Sequence, residues 1–389
     1  REVIDDQKKL ESIWGNQFLA SLMEAVFTSA NIFQYAQIVK NKAILRKLIR
    51  AGNEIIMNGY DEASETTELL EKAEKSLFGV TQTFIQNKLV PIRDILNARY
   101  EEFAAIHADP ELVDRHTIST GYPSFDAKLG GFKRGDLIIV AARPSMGKTA
   151  MALNFAQNIA KKWRNVAIFS LEMSKEQLTD RLIAAAMAVD SWKLQKWKLS
   201  EDEFSRMWDA LESLSRSKIY LDDSPAGEWL LSIKSKARRL KMESWLDLII
   251  IDYLQLMSSG NSMNRVQEVS DISRWLKSLA RELDVPVVAL SQLSRWVEAR
   301  PDKRPLMSDL RESGSIEQDA DIIAMLYRDD YYNEFSESPG ITNVMIRKNR
   351  NGPTGQVDLK FEKSQQKFYE LEKSHIAERA YEWEPAWWY

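Results

Sequence analysis

The chain has 389 residues, 44% of them hydrophobic and 28% charged, with a formal net charge of −4. That length exceeds one ordinary domain, so two or three are expected, each able to bury a core. The absence of cysteine excludes a disulfide scaffold and any thiolate metal site, and the three histidines (His107, His116, His375) read more simply as packed or solvated than as a metal cluster. The slightly acidic balance argues against a broad basic coat, although a ring with a small basic lining inside an acidic exterior would show the same bulk charge. No run approaches ~18 apolar residues, and no signal-peptide pattern opens the chain, so a cytoplasmic, reducing compartment is the expectation.

In chain order, residues 1–30 carry short helical patterns at Ile13, Trp14, Phe18, Leu22 and Val26. From about 31 to 60, Ala36, Val39, Ala43, Leu48 and Ile55 keep to one helical face until Gly59-Tyr60-Asp61-Glu62 breaks it. A second helix over Leu69, Leu70, Ala73 and Leu77 would complete a helical hairpin within an all-α domain over 1–80. Residues 81–118 read as a linker holding one amphipathic helix at about 91–106. Pro91 stands at its start, and Ile92, Ile95, Leu96, Tyr100 and Phe103 form an apolar stripe with no core of its own, which must dock, for example on a neighbouring subunit.

After Ser119 the texture changes. Short apolar runs at 137–142, 166–171, 219–221, 246–252, 285–291, 322–327 and 343–348 alternate with helical patterns. This predicts an α/β domain over 119–373, a largely parallel sheet flanked by helices. There is no internal repeat. Trp197, Trp229 and Trp296 sit among polar neighbours and read as scattered surface aromatics. The tail over 374–389 is rich in tryptophan and suits, at most, a docking peptide.

The strongest motif is Ala142-Arg143-Pro144-Ser145-Met146-Gly147-Lys148-Thr149, with a strand before it and a helix after it. This is the context of a phosphate-binding loop, with Ala142 in place of the usual first glycine. Ser145, Met146, Gly147, Lys148, Thr149 and Ala150 are the nucleotide-binding candidates. Backbone N–H groups would wrap a phosphate at the positive end of the helix, Lys148 would place charge on the β- and γ-phosphates, and the Thr149 hydroxyl would bind Mg²⁺. Hydrolysis of ATP needs carboxylates as well. Leu248–Asp252 has the Walker-B form, an apolar strand ending in an acid, which puts Asp252 beside a metal at Thr149. Glu172 ends the next strand after the loop's helix and is the candidate base for the attacking water; its other reading is a cap for the helix over 175–188. Gln292 ends a further strand and reads as a sensor of the γ-phosphate or as an ordinary polar strand end.

Beside these stand Phe169-Ser170-Leu171-Glu172-Met173-Ser174, Ile251-Asp252-Tyr253-Leu254-Gln255-Leu256-Met257, Leu290-Ser291-Gln292-Leu293-Ser294-Arg295, the block Asp309–Asp321 and Lys348-Asn349-Arg350-Asn351-Gly352-Pro353. In this order they resemble the signature set of DnaB-type replicative DNA helicases over about 1–373. Gly130-Gly131-Phe132 and Gly135-Asp136-Leu137 resemble that family's entry into its RecA-like motor domain. The resemblance implies a homohexameric ring that translocates 5′ to 3′ on single-stranded DNA and unwinds duplex at the fork, with primase and a helicase loader as partners. It implies that Arg350 and Lys348 reach into the neighbouring subunit's ATP site; without it, Arg350 would read as a surface charge. It maps DNA-gripping loops to Ser258–Gln267 and Arg311–Gly314, with Arg265, Arg311, Glu312 and Gly314 as contacts, although Arg311 and Glu312 also suit an internal ion pair. A recombinase or clock-type ATPase on the same motor, or a binding platform with incidental turnover, are the rivals. Three departures stand out: the helical head opens partway through, Trp275 and Trp296 occupy places where a smaller residue is expected, and the tail has no counterpart.

Overall fold

The computed structural model describes residues 32–60, 69, 72, 73, 76, 91–109, 117–224, 229–252, 265–310 and 314–371. The patterns expected over 1–30, 81–90 and 374–389 lie outside that set. So do Leu70 and Leu77 of the second hairpin helix. The chain divides into two compact units, Arg1–Glu101 and Glu102–Tyr389.

In the first unit, helix α1 runs Ile32–Gly59 and stops at the expected glycine. Ala51 is buried, whereas Val39 and Leu48 of the predicted face are exposed. The Ser76 hydroxyl donates to Glu54 of α1 at 2.6 Å. Helix α2, Ile92–Ala108, follows Pro91 as predicted, and none of its residues is buried. Ile92 and Tyr100 of its apolar stripe are about three-quarters exposed (73% and 75%).

After α2, whose residues run across the boundary at Glu101, come β1 (Thr117–Ile118), helix α3 (Pro123–Leu129) and β2 (Phe132–Lys133), β1 and β2 pairing antiparallel. Then come β3 (Leu137–Ala142), α4 (Lys148–Lys161), β4 (Val166–Ser170), α5 (Lys175–Met187), α6 (Ser191–Gln195), α7 (Glu201–Arg216) and β5 (Ile219–Asp222). They are followed by α8 (Trp229–Ser244), β6 (Leu248–Asp252), α9 (Arg265–Leu283), β7 (Val287–Gln292), α10 (Gly314–Asp319) and β8 (Ile322–Tyr327). Strands β9 (Ile341–Asn349), β10 (Gly355–Glu362) and β11 (Lys367–Glu370) close the unit. Every apolar run read as a strand is one, within two residues at each end. The nine strands form a single sheet in the order β11-β10-β9-β8-β3-β7-β6-β4-β5. The six from β8 to β5 are parallel, as expected, while β9, β10 and β11 extend the sheet antiparallel.

The central parallel strands are continuous apolar runs because helices cover both their faces. Strand β3 is buried at all six positions. Ile138, Val140 and Ala142 face one core with Phe125, Phe132 and Phe155. Leu137, Ile139 and Ala141 face the other with α8 and α9. Trp275 packs partly buried against that second core. Trp197 and Trp296 stand exposed, as expected of surface aromatics; the side chain of Trp229 lies outside the described set. Among the described residues no helix is long and apolar enough to cross a membrane.

The parallel strands give the sheet two unlike edges. At the amino edge, Asp136 is buried, and Asn351 donates to its carboxylate at 3.4 Å. Burial, with the Asp321 carboxylate next in effect, pushes its pKa from the ordinary 3.8 up to about 6, against the opposing pull of Lys277 and Lys133. A carboxyl whose pKa is raised by folding contributes stability that is full below pH ~4 and is lost as pH rises through about 6. Asp136→Asn removes the charge and keeps the shape. The variant is expected to be more stable than the parent at pH 7.5 by about 1–2 kcal/mol, allowing for solvent screening, with the gain shrinking towards pH 4.5. Thermal melts at the two pH values check this; a gain independent of pH would mean that the charge of Asp136 is not the cause.

Candidate nucleotide site

The carboxyl edge of the sheet carries the phosphate-loop motif. The chain leaves β3 at Ala142, turns through 143–147 and enters α4 at Lys148. Ser145 and Gly147 have left-handed backbones (φ +67° and +92°). Gly147 is required twice over: a Cβ there would be strained by that φ and would also meet Phe368 at 3.0 Å and Phe361 at 3.2 Å. Met146 is buried beneath the loop, and Ala150 is buried in the first turn of α4. The loop is pinned from outside by Arg143, whose Nη1 donates to the Leu293 carbonyl at 2.8 Å and whose Nε pairs with Glu298 at 3.0 Å.

Three functional groups meet behind the loop. Thr149 Oγ1 donates to Asp252 Oδ2 at 2.8 Å, and Lys148 Nζ lies 3.9 Å from Asp252 Oδ1. Burial lowers the Lys148 pKa, while Asp252 and then Glu172 pull it back up. Ser170 of β4 pairs with Asp252 of β6, and the Leu171 N–H donates to the Asp252 carbonyl at 2.7 Å, so Glu172 leaves the sheet on this same edge. Glu172 is exposed. It does not cap α5: Ser174 and Gln177 form a complete capping box there. Gln292 ends β7 opposite Ala142.

The donor set suits a hard cation. Asp252 Oδ1 is buried with no hydrogen-bond partner among the described residues, and the Thr149 hydroxyl lies on the neighbouring oxygen. Among the described residues no group of three or more His, Asp or Glu is placed to hold a metal. An ion here would therefore complete its shell with phosphate and water oxygens.

The cleft in front of the loop has a volume of about 380 Å³, within the range of small-molecule sites. Sequence reading missed part of its wall. Arg181 of α5 lines it; burial lowers the Arg181 pKa, opposed by Asp252 and Glu172. Phe361, Lys363 and Gln366, from the β10–β11 hairpin, line it as well. Asn154 of α4 fastens that hairpin, donating to the Gln366 carbonyl at 3.0 Å and accepting from the Phe368 N–H at 2.9 Å. The signal was present: Val357, Leu359 and Phe361 alternate strictly after the Gly352-Pro353 turn, as a half-buried strand does.

Lys348 and Arg350 stand elsewhere. Lys348 ends near the tip of β9, and Arg350 lies in the turn between β9 and β10, as the sequence suggested. Lys348 Nζ donates to the carbonyls of Glu317 and Gln318. Arg350 donates to the Gln318 carbonyl and, at 3.4 Å, to Asp321 Oδ1. Asp321 is hydrogen-bonded to Leu137, the first residue of β3, so this group sits at the amino edge. The phosphate loop lies beyond the other end of that six-residue strand, about 20 Å away at ~3.3 Å per residue.

Of the DNA candidates, Gly314 opens α10 and Arg265 opens α9. Arg311, Glu312 and the loop residues 258–264 lie outside the described set, as does the side chain of Arg265.

The model of the DnaB-like helicase C-terminal domain matches residues 117–370. The replicative DNA helicase DnaB of Geobacillus stearothermophilus is 50% identical over 370 residues, covering 94% of this chain and 81% of that protein. The replicative DNA helicase DnaC of Bacillus subtilis (strain 168) is 50% identical over 367 residues, with 94% and 80% covered. Among solved structures, a DnaB-like replicative helicase described with its interactions with primase has a TM-score of 0.73 at 37% identity, covering 94% of this chain and 85% of that one. An ATPase domain solved on its own has a TM-score of 0.69 at 42% identity, covering 73% of this chain and all of that domain. Identity of this order across nearly the whole chain, on a RecA-like fold with an intact phosphate loop, has one consequence: the chain belongs to the DnaB-like replicative helicase family.

Proposed function

We propose that this chain is the ATP-driven motor of a replicative DNA helicase, a homohexameric ring moving 5′ to 3′ on single-stranded DNA and separating strands at the fork. The observation that carries this reading is the division of the ATPase groups between opposite edges of one sheet. Lys148, Thr149, Asp252 and Glu172 gather at the carboxyl edge, and Arg350 sits about 20 Å away at the amino edge. A guanidinium so placed serves ATP only on another subunit.

In this reading the N–H groups of Ser145 through Ala150 bind the phosphates, and Lys148 offsets charge on the β- and γ-phosphates. Thr149 and Asp252 would hold Mg²⁺, which would supply neutralising charge to the phosphates. Glu172 orients the attacking water and takes its proton, and Gln292 hydrogen-bonds the γ-phosphate and registers its loss. The neighbour's Arg350 and Lys348 stabilise the charge that spreads over the γ-phosphoryl oxygens in the transition state.

The same reading assigns 1–80 to a helical domain, 81–118 to the linker, 119–373 to the motor and 374–389 to a separate segment. The apolar stripe of α2, exposed at Ile92 and Tyr100, docks on a neighbouring subunit. DNA is gripped through Arg265, Arg311, Glu312 and Gly314, largely at its backbone. Primase and a helicase loader are the expected partners, and the working compartment is the cytoplasm or an equivalent such as the plastid stroma.

Three outcomes test this reading. On a forked DNA substrate the chain is expected to displace a strand with ATP, and Lys148→Ala is expected to remove both displacement and hydrolysis; an ATPase with no displacement would favour a binding platform or a recombinase-like assembly. Glu172→Gln is expected to bind ATP and hydrolyse it at least ~100-fold more slowly, as for loss of a general base. Parent-like turnover in that variant would put the base elsewhere. Mixing Arg350→Ala with Lys148→Ala subunits restores some interfaces that pair an intact loop with an intact arginine. ATPase of the mixture should exceed that of either variant alone, modestly because translocation needs consecutive working interfaces; no gain, with subunit exchange confirmed, would sink the trans assignment.

A further inference from the structure

We propose that Asp321, backed by Lys277, is a positioning residue that holds Arg350 by its inner edge and presents its outer edge to the adjoining subunit. The proposal rests on the reading of Arg350 as the trans-acting group and says how that group is aimed.

Asp321 lies between α10 and β8, with its side chain 6% exposed. It is itself fixed from three sides. Its N–H donates to the Leu137 carbonyl at 2.9 Å, its Oδ2 accepts from the Leu137 N–H at 2.8 Å, and Lys277 Nζ reaches the same oxygen at 2.5 Å. Lys277 is anchored in turn on the Gly135 carbonyl at 2.8 Å. A buried carboxylate with Oδ2 fully engaged has Oδ1 left for Arg350, and Arg350 Nη1 stands 3.4 Å from it. The Arg350 N–H also donates to the Asp321 carbonyl at 2.9 Å, so backbone and side chain are tied to one residue.

The second terminal nitrogen of Arg350 donates to the Gln318 carbonyl at the end of α10. A guanidinium has five N–H donors in a rigid plane. Two are used here, which leaves Nε and one N–H on each terminal nitrogen without a partner among the described residues. The Arg350 side chain is 47% exposed. A flexible arginine would lose side-chain entropy on meeting a phosphate; one already held by its back edge loses less and keeps a donor face for the γ-phosphoryl oxygens.

The clasp also has a direction. Lys277 stands on α9 and Gln318 on α10, and Ser273 of α9 is hydrogen-bonded to Asp319 of α10. Those two helices open at Arg265 and Gly314, both DNA candidates. A shift of either helix when DNA is gripped would move a group that touches Asp321 or Arg350. The arginine offered to one ATP is thereby set by its own subunit's hold on DNA.

The experiment is a double-mutant cycle on the assembled protein, measuring kcat and KM for ATP with and without single-stranded DNA. Arg350→Ala is expected to lower kcat strongly. Asp321→Asn is expected to lower DNA-stimulated kcat about tenfold, the worth of one charge-assisted hydrogen bond, with KM unchanged because the nucleotide is held by the other subunit's loop. In the Arg350→Ala background the same substitution should change kcat less than ~2-fold, since its only route to ATP is gone. Equal losses in both backgrounds would make Asp321 merely structural and overturn the proposal, as would an unchanged kcat for Asp321→Asn beside a lowered one for Arg350→Ala. An unchanged Arg350→Ala would instead remove the trans-acting arginine itself. If Asp321→Asn does not fold, Lys277→Gln carries the test, with a smaller loss of DNA-stimulated kcat and the same dependence on Arg350.

Discussion

The carboxylate of Asp252 is buried, with the Thr149 hydroxyl as its one hydrogen-bond partner among the described residues and the Lys148 ammonium 3.9 Å away. Burying an ionised carboxylate costs several kcal/mol unless charge or hydrogen bonds compensate it. Here two residues of the phosphate loop supply that compensation, Thr149 on Oδ2 and Lys148 near Oδ1, and among the described residues Oδ1 accepts no hydrogen bond. The loop and the β6 terminus are therefore tied to one another by the same need, and the cation proposed for this site would answer it too. The rest of the unit serves that arrangement. Parallel strands β3, β4, β6 and β7 bring four sequence-distant segments to one edge, and the crevice outside their carboxyl ends is where an α/β sheet binds ligands.

A parallel sheet also has a far edge, and the chain uses it. Any group anchored at the start of β3 or β8 is held a strand's length from the nucleotide. Arg350 is anchored there through Asp321. One subunit thus offers two different patches, a loop at one edge and a guanidinium at the other. Joining unlike patches gives a heterologous contact, which repeats until it closes into a ring or runs on as a filament. The ring proposed for this chain thus follows from which edge each residue occupies as well as from its relatives.

Much of this was legible in the sequence because the physics is local. Continuous apolar runs such as Leu137–Ala142 and Leu248–Asp252 can only be buried parallel strands between helices, and a Gly-Lys-Thr sequence following such a strand has few other uses. Glu172 was ambiguous by sequence, since an acid two residues before Ser174 also suits a helix start; the capping box of Ser174 and Gln177 removes that alternative. What stayed hidden depends on long-range pairing. Nothing near Asn154 announces that it fastens a hairpin more than 200 residues away, and Arg181 looks like any exposed helical arginine until α5 packs beside the loop. The β10–β11 hairpin differs: the alternation of Val357, Leu359 and Phe361 marks a half-buried strand, but more weakly than the continuous runs before it. The partnership of Arg350 with Asp321 is likewise a matter of register, set where β9 pairs with β8 and places Asn349 opposite Ile322.

The same register decides how far a subunit can act piecemeal. Strand β3 leads directly into the phosphate loop at one end, and its first residue is hydrogen-bonded to Asp321 at the other. It is buried on both faces between two close-packed cores, and such interiors deform little. A displacement of the loop relative to bound phosphates therefore cannot be absorbed within β3; it moves the sheet, and with it the clasp that carries Arg350. In the proposed ring, the nucleotide state of one interface would in this way be felt at the next as a change in where an arginine is held. Short helices and turns such as α10 and the 350–354 turn lie outside the rigid sheet, so they are the parts able to adjust. Coupling between subunits then needs no long pathway of moving side chains, only one stiff strand with a reactive group fixed at each end.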